Sequence, residues 1–301
     1  MLQVRFWGTR GSIAVTGSSA VEFGGNTSCI ELRAGGRLII IDLGSGAREL
    51  GNHLIAENFK KSPIDGDIFI THTHLDHLIG FPMFAPLFFK SNTFRIHGPR
   101  LPENGSVRSA IEIMTSYQFW PVRLSEFAAK LTFNIIVETT LDLGGGLKVT
   151  SKLLNHPVIT LGYRFEYHGK TVVTAFDTEP YRNLFTDEQS PFYSAAADSE
   201  GRKTVKEESN RMLEFISGAD ILIYDSPYTE AEYQKGKQGW GHTPLEYAIR
   251  CSKEAGVKKL IVFHHEPSKT DKVLREIEEC NFPKNIGMEI IAAKEGMSLT
   301  A

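Results

Sequence analysis

The sequence predicts an α/β chain of two mixed β-sheets packed face to face and covered by helices. Three observations carry this expectation. Short apolar runs that lead into amphipathic helical stretches occur in both halves of the chain. Other strands are joined directly by tight glycine turns, which makes those pairs antiparallel. The composition, 41% hydrophobic and 23% charged, is that of an ordinary globular protein, and layered sheets under helices are its economical architecture. Length alone permits one or two domains in 301 residues. Without an internal repeat or a low-complexity tract, one domain over 1–301 is expected.

Composition also excludes function classes. The net charge of −3 gives no electrostatic footprint for long nucleic acid, although it leaves room for a local basic patch. No run approaches the roughly 18 apolar residues of a membrane helix, and Met1-Leu2-Gln3-Val4-Arg5-Phe6 is strand-like rather than signal-like. No membrane association is therefore expected. Cys29, Cys251 and Cys280 are odd in number and widely spaced, which fits free thiols in a reducing cytoplasm.

Residues 2–7 alternate as a strand and run into the loop Gly8-Thr9-Arg10-Gly11-Ser12. A second glycine loop, Phe23 to Ser28, precedes the strand Cys29-Ile30-Glu31-Leu32. Gly35-Gly36 then turns the chain into a buried strand from Arg37 to Ile41. Asp42-Leu43-Gly44-Ser45-Gly46 opens a helix through about Ala56. A strand followed by Gly-x-Gly invites a dinucleotide reading, but Glu49 stands where the third glycine belongs and no βαβ unit precedes it. Asp42 keeps two readings, a helix cap or a carboxylate that orients a metal-binding histidine.

The chemistry concentrates in Thr71-His72-Thr73-His74-Leu75-Asp76-His77, directly after the apolar run Asp67-Ile68-Phe69-Ile70. Imidazole suits zinc, iron and similar metals, and a carboxylate adds a harder, charged ligand. On an extended segment His72 and His74 point to the same side. If a helix follows, Asp76 and His77 sit in its first turn, aimed at a second point. The spacing thus suggests two adjacent metal positions, against the alternative of a polar turn whose histidines only hydrogen-bond.

Residues 80–89 carry too much proline for one helix. Their aromatics, like those of Tyr117-Gln118-Phe119-Trp120-Pro121, are either core or an apolar wall beside the metals. Thr93 to His97 is a strand, a helix begins near Gly105, and His53 and His97 read as surface or capping residues. Strands at 131–137, 147–154, 161–167 and 170–176 form an antiparallel meander, its last pair hinged at His168-Gly169. Two candidates lie at strand ends, His156 and Asp177, and an aspartate after the run Val172 to Phe176 needs a partner. Residues 181–210 read as a surface loop leading into a helix. Ala219 to Tyr224 is a strand, and Asp225 and Ser226 begin a loop. Gly239 to Pro244 precede an amphipathic helix from Leu245 to Ala255, with Thr243 as its N-cap. Strand Leu260 to Phe263 delivers His264-His265-Glu266-Pro267. A helix at about 268–280 and a strand at about 287–291 follow.

His72-x-His74-x-Asp76-His77, His156, Asp177 and His264 occur in the order of the metal motifs of the metallo-β-lactamase superfamily, which the chain resembles over most of its length. The resemblance implies an αββα sandwich with a binuclear site at one edge. It implies two divalent metal ions, zinc first, with manganese or iron as alternatives. His72, His74 and His156 would hold one, and Asp76, His77 and His264 the other. Asp177 and a water or hydroxide would bridge them. Ala175-Phe176-Asp177-Thr178, Gly241-His242-Thr243 and Phe263-His264-His265-Glu266-Pro267 resemble the superfamily's phosphodiesterase branch, with its tRNA 3′-processing endonucleases and cyclic-nucleotide phosphodiesterases.

That likeness implies a metal-dependent phosphodiesterase acting on small or cyclic nucleotides. His242 and Asp76 are its catalytic candidates, His242 as the general acid. Of the adjacent histidines, His264 is preferred as ligand because it directly follows the strand. Arg10 reads either as a phosphate contact or as a surface residue. The tRNA endonucleases carry a long substrate arm between the equivalents of His156 and Asp177. Here only the twenty residues 157–176 lie there. With the acidic net charge, this leads to the expectation of a small-molecule phosphodiester and no long nucleic acid. The competing readings are a lactonase, thioesterase or β-lactamase on the same site, and a metal-binding module without turnover. Superfamily members often dimerise, so a homodimer is an open alternative.

Overall fold

The computed structural model describes residues 1–58 and 63–301. The first half contains strands β1 (Leu2–Gly8), β2 (Cys29–Ala34), β3 (Arg37–Ile41), β4 (Asp65–Phe69), β5 (Thr93–Pro99) and β6 (Lys130–Ile136). Helices α1 (Ala47–Asn58), α2 (Leu75–Leu78) and α3 (Val107–Met114) lie among them. The second half contains β7 (Thr140–Gly144), β8 (Leu147–Leu154), β9 (Thr160–Tyr167), β10 (Lys170–Ala175), β11 (Ile221–Asp225), β12 (Lys259–Phe263), β13 (Glu289–Ala292) and β14 (Ser298–Thr300). Its helices are α4 (Ala195–Ile216), α5 (Glu230–Gln234), α6 (Leu245–Glu254) and α7 (Asp271–Asn281). No helix among the described residues is long and apolar enough to cross a membrane.

Two seven-stranded sheets result, in the orders β14-β1-β2-β3-β4-β5-β6 and β13-β12-β11-β10-β9-β8-β7. Each is antiparallel on one side and parallel on the other, with the change at β3 and at β10. The apolar run Leu38-Ile39-Ile40-Ile41 shows why β3 carries no polar face. Ile39 and Ile41 enter the core between the sheets with Phe69, Phe165 and Phe263, whereas Leu38 and Ile40 pack outward with Leu50 and Leu54 of α1. A strand covered on both sides must be apolar on both. The second sheet repeats this: Ile261 and Phe263 face inward, while Leu260 packs with Phe215 of α4 and Ala248 of α6. Two mixed sheets flanked by helices are the expected architecture.

Several local expectations are corrected. The strand expected at 131–137 is not part of the meander. As β6 it pairs in parallel with β5 at the edge of the first sheet. Its alternating exposure suits a parallel or an antiparallel edge equally, so periodicity could not decide. The meander begins instead at β7, which turns into β8 through Gly144-Gly145-Gly146, all at positive φ. Thr243 does not cap α6: its hydroxyl donates to the Thr178 carbonyl (2.6 Å), and Pro244 occupies the N-cap. Phe81, Phe84 and Leu87 are core under α1, and Phe88 and Phe89 are exposed. Tyr117 stacks on Arg123 and donates to Glu126 (2.8 Å).

His97 is neither a surface nor a capping residue. It is buried, stacks on Phe69 (4.5 Å between ring centres) and donates from Nε2 to Asp67 Oδ1 (3.0 Å). Asp67 also accepts from Arg37 (2.8 Å) and Arg95 (2.9 Å), and Arg37 reaches the Leu143 carbonyl of β7, tying the two sheets together. Burial pushes the Asp67 carboxyl up, but hydrogen bonds from His97, Arg95 and Arg37 outweigh it and hold it below the usual carboxylate range. Asp67→Asn should cost about 2 kcal/mol at pH 7, less than a fully buried pair because both guanidinium groups are partly exposed. A carboxyl whose folded pKa is depressed stabilises above its unfolded value near ~3.9 and loses that contribution as the pH falls further. Urea unfolding should therefore show the gap between wild type and variant shrinking in acid.

Candidate active site

Strand ends assemble the site along one edge of the sandwich. Asp42 follows β3, the segment Thr71 to His77 follows β4, and His156 follows β8. Asp177 lies beyond β10, Asp225 ends β11, and His264 follows β12. Open α/β sheets place ligands beyond the carboxyl ends of their strands in this way. Asp42 (φ +58°), Asp177 (+45°), His264 (+64°) and Ser12 (+60°) all hold the left-handed backbone conformation. Such residues cost on the order of 1 kcal/mol or more each and persist where surrounding contacts over-determine them. Tyr163 of β9 donates to the Ile70 carbonyl (2.6 Å) and Leu161 N to the Thr71 carbonyl (2.9 Å), so the second sheet grips the histidine segment of the first.

The side chains singled out in the sequence converge. His72, His74, His156 and Asp177 form one group, Asp76, His77 and His264 a second, and Asp177, His242 and His264 a third, each with donor atoms within 4.8 Å of one another. Asp177 Oδ2 lies 3.5 Å from His72 Nε2 and 3.9 Å from His156 Nε2. Its Oδ1 lies 3.3 Å from both His77 Nε2 and His264 Nε2. Asp76 Oδ2 stands 3.3 Å from the same two nitrogens.

A proton on each outer nitrogen would leave the inner one free for a cation. His77 donates from Nδ1 to Asp42 Oδ2 (2.7 Å) and His156 from Nδ1 to the Gly241 carbonyl (2.9 Å). His72 Nδ1 meets the Thr71 hydroxyl (3.1 Å), which itself donates to Asp42 (2.9 Å). His72 Nε2, His77 Nε2 and Asp177 Oδ1 are buried without a hydrogen-bond partner. Buried polar atoms are rarely left so, and inward lone pairs beside carboxylates are what a divalent cation satisfies. His74 Nδ1 and His156 Nε2, 3.2 Å apart, add a further pair of facing nitrogens. The donor set fits metal binding.

The electrostatics are uneven. Burial holds His72, His74 and His156 below the usual imidazole range. Burial also opposes charge on His77, but Asp177, Asp76 and Asp42 overcome it and raise that imidazole well above its ordinary value. Burial pushes the Asp76 and Asp177 carboxyls up, yet the facing histidines hold both well below the carboxylate range. His242 donates from Nδ1 to Asp225 Oδ2 (2.9 Å). Despite burial, Asp225, then Asp177 and Asp76, push it up to about 9.

Three contributors were missed in the sequence. Asp225 was read as a loop residue, although an aspartate closing the run Ile221 to Tyr224 carries the same signal as Asp177. Ser12 donates its backbone N–H to Asp76 Oδ2 (2.7 Å). Buried Glu179 accepts from Tyr233 Oη (2.5 Å), Gly239 N (2.8 Å) and Gly241 N (3.0 Å), and so fixes the loop that carries His242. Gly11 and Gly241 lie so close to the rings of His264 and His156 that an added Cβ would fall 2.3 and 2.2 Å from them. His265 turns away, donating to the Ala293 carbonyl (2.8 Å). Arg10 is neither a phosphate contact nor a surface residue: it is fully buried and donates to the carbonyls of Gly24 (2.8 Å) and Lys269 (2.6 Å).

The family model described as the beta-lactamase superfamily domain matches residues 37–265. The chain belongs to that superfamily. It is 27% identical to ribonuclease Z of Thermoplasma volcanium over 259 residues, 77% of this chain and 79% of that protein. Among solved structures, the metallo-β-lactamase fold protein YhfI from Bacillus subtilis aligns with a TM-score of 0.66 at 20% identity, covering 99% of this chain and 98% of that one. A diphosphatase from the PhnP family aligns with a TM-score of 0.65 at 16% identity, covering 100% and 98%. This superfamily member is a hydrolase, and its relatives fit the phosphodiesterase branch. They also overturn one expectation. Other curated relatives are likewise named ribonuclease Z or ribonuclease BN, so long nucleic acid does not stand excluded as a partner. Net charge misled because it sums the whole surface, whereas recognition reads the local field.

Asp42→Asn tests the support of His77. Asparagine tolerates the left-handed conformation at this position, so the backbone should hold while the charge is lost. Competition with a chromophoric chelator should show divalent-cation affinity falling roughly 10–100-fold.

Proposed function

We propose that the protein is a divalent-cation-dependent phosphodiesterase in which His242 protonates the leaving oxygen. The observation that carries this is the His242–Asp225 pair, beside Asp177 and His264 at the rim of the imidazole–carboxylate cluster. In this reading His72, His74 and His156 would hold one cation and Asp76, His77 and His264 the other, with Asp177 beside both groups. Zinc, manganese and iron all accept such a donor set. Bound cations supply acidified water and positive charge against a phosphoryl oxygen.

The chain's own residues do the rest. The P–O bond to the leaving group breaks as a water oxygen takes its place on phosphorus. His242 gives its Nε2 proton to the departing alkoxide, and the proton released by the water restores the imidazole through solvent. Asp225 keeps Nδ1 protonated and the ring aligned. With the charges of Asp76 and Asp177 offset by bound cations, Asp225 would remain as the partner that favours imidazolium at His242. Small and cyclic nucleotides and RNA strands all present the scissile group, and the ribonuclease relatives make an RNA strand the first to try. The free cysteines, one of them exposed, support a cytoplasmic setting.

Hydrolysis of bis(p-nitrophenyl) phosphate tests the reading. Turnover should disappear after chelation and return with zinc or manganese; its absence with every metal overturns the proposal. His242→Ala should lower turnover by about 10²–10⁴-fold while metal content, measured by elemental analysis, stays at the wild-type level.

A further inference from the structure

Trp240 is 54% exposed, on a loop that is otherwise firmly held. The loop runs Lys235-Gly236-Lys237-Gln238-Gly239-Trp240-Gly241 into His242. Glu179 binds its backbone at Gly239 and Gly241, and the Gly241 carbonyl accepts from His156. The backbone on either side of the indole is thus held beside the cluster, with much of the ring surface in water. Lys237 Nζ lies 3.8 Å from the Trp240 ring centre and 5.1 Å from that of Tyr228. The Tyr228 ring is in turn 6.1 Å from that of His242. Among the described residues, no carboxylate lies within ion-pair distance of Lys237, and its ammonium rests against the Trp240 and Tyr228 rings instead.

Beneath this cationic rim lie the acids Asp76, Asp177, Asp225 and Glu179, all buried. The two layers attract opposite charges: the depth favours cations, and the rim favours an anion beside an aromatic face. A platform that stacks a base next to a cation that meets a phosphate is the chemistry by which proteins hold single-stranded nucleic acid.

We propose that Trp240 and Lys237 form a subsite for the nucleoside next to the scissile phosphate. The base stacks on the indole and its further phosphate meets the Lys237 ammonium. As a substrate subsite, this rests on the phosphodiesterase reading above.

The test compares a short oligoribonucleotide with methyl p-nitrophenyl phosphate, which has no nucleoside. Trp240→Ala should raise KM for the oligonucleotide about tenfold more than for the small ester, the scale of one lost base stack, and Trp240→Phe should restore most of the difference. Lys237→Gln should make the slope of log KM against log salt shallower by about 0.7, one single-strand phosphate contact. Equal losses on both substrates, or none, overturn the subsite. If the wild-type protein cleaves neither, the phosphodiesterase reading is what fails. Tryptophan fluorescence then decides the subsite separately: quenching by adenosine 5′-monophosphate that Trp240→Phe abolishes supports it, and equal quenching in both overturns it.

Discussion

Asp177 has four imidazoles within 3.9 Å of one buried carboxylate, so the protonation of each ring bears on that of the others. Charging all four rings would set like charges against one another in a low dielectric, and leaving them neutral strands their inward nitrogens. The surrounding structure holds this conflict in place. Asp42 and Thr71 fix the outward nitrogens, Ser12 braces Asp76, and the left-handed Asp42, Asp177 and His264 bend the chain sharply where strands end. Such a cluster fits a site built for positive charge from outside the chain.

Much of this was legible in the sequence because the residues concerned follow long apolar runs. A run such as Leu38 to Ile41 marks a strand buried on both faces, and a polar residue directly after such a strand has nowhere to go but the sandwich edge. That logic found the segment 71–77, His156, Asp177 and His264. It passed over Asp225 because a following serine and proline resemble an ordinary turn. Glu179 and Ser12 carry no local signal at all. Their roles arise from partners about sixty residues away in sequence, Gly239 and Gly241 for one and Asp76 for the other. His97 was misjudged for the same reason, since its carboxylate partner lies on the adjacent strand rather than nearby in the chain. The parallel pairing of β6 was hidden because exposure along an edge strand alternates in either orientation.

The division between a buried acidic interior and a basic, aromatic rim separates two tasks on one small surface. The interior belongs to the superfamily fold, which many chemistries share. The rim belongs to this chain's own loop, where three glycines at positive φ let the backbone pass close to His156 while presenting Lys237 and Trp240 outward. Loops held by a rigid scaffold are where specificity diverges most readily, so relatives of similar fold can differ in what they cut.

The N-terminal glycine loop also meets the segment after β12: Gly11 N donates to the His265 carbonyl (3.0 Å), and His265 N to the Thr9 carbonyl (2.9 Å). Residues more than 250 positions apart thus lock together at the site. During synthesis on the ribosome, the early histidines emerge long before Asp177 and His264 exist to face them. A nascent chain stopped anywhere short of β12 holds only a fraction of the donor set. The two donor groups therefore mature at different times: His72, His74, His156 and Asp177 are all present once the chain has passed β10, whereas the group of Asp76, His77 and His264 closes only after β12.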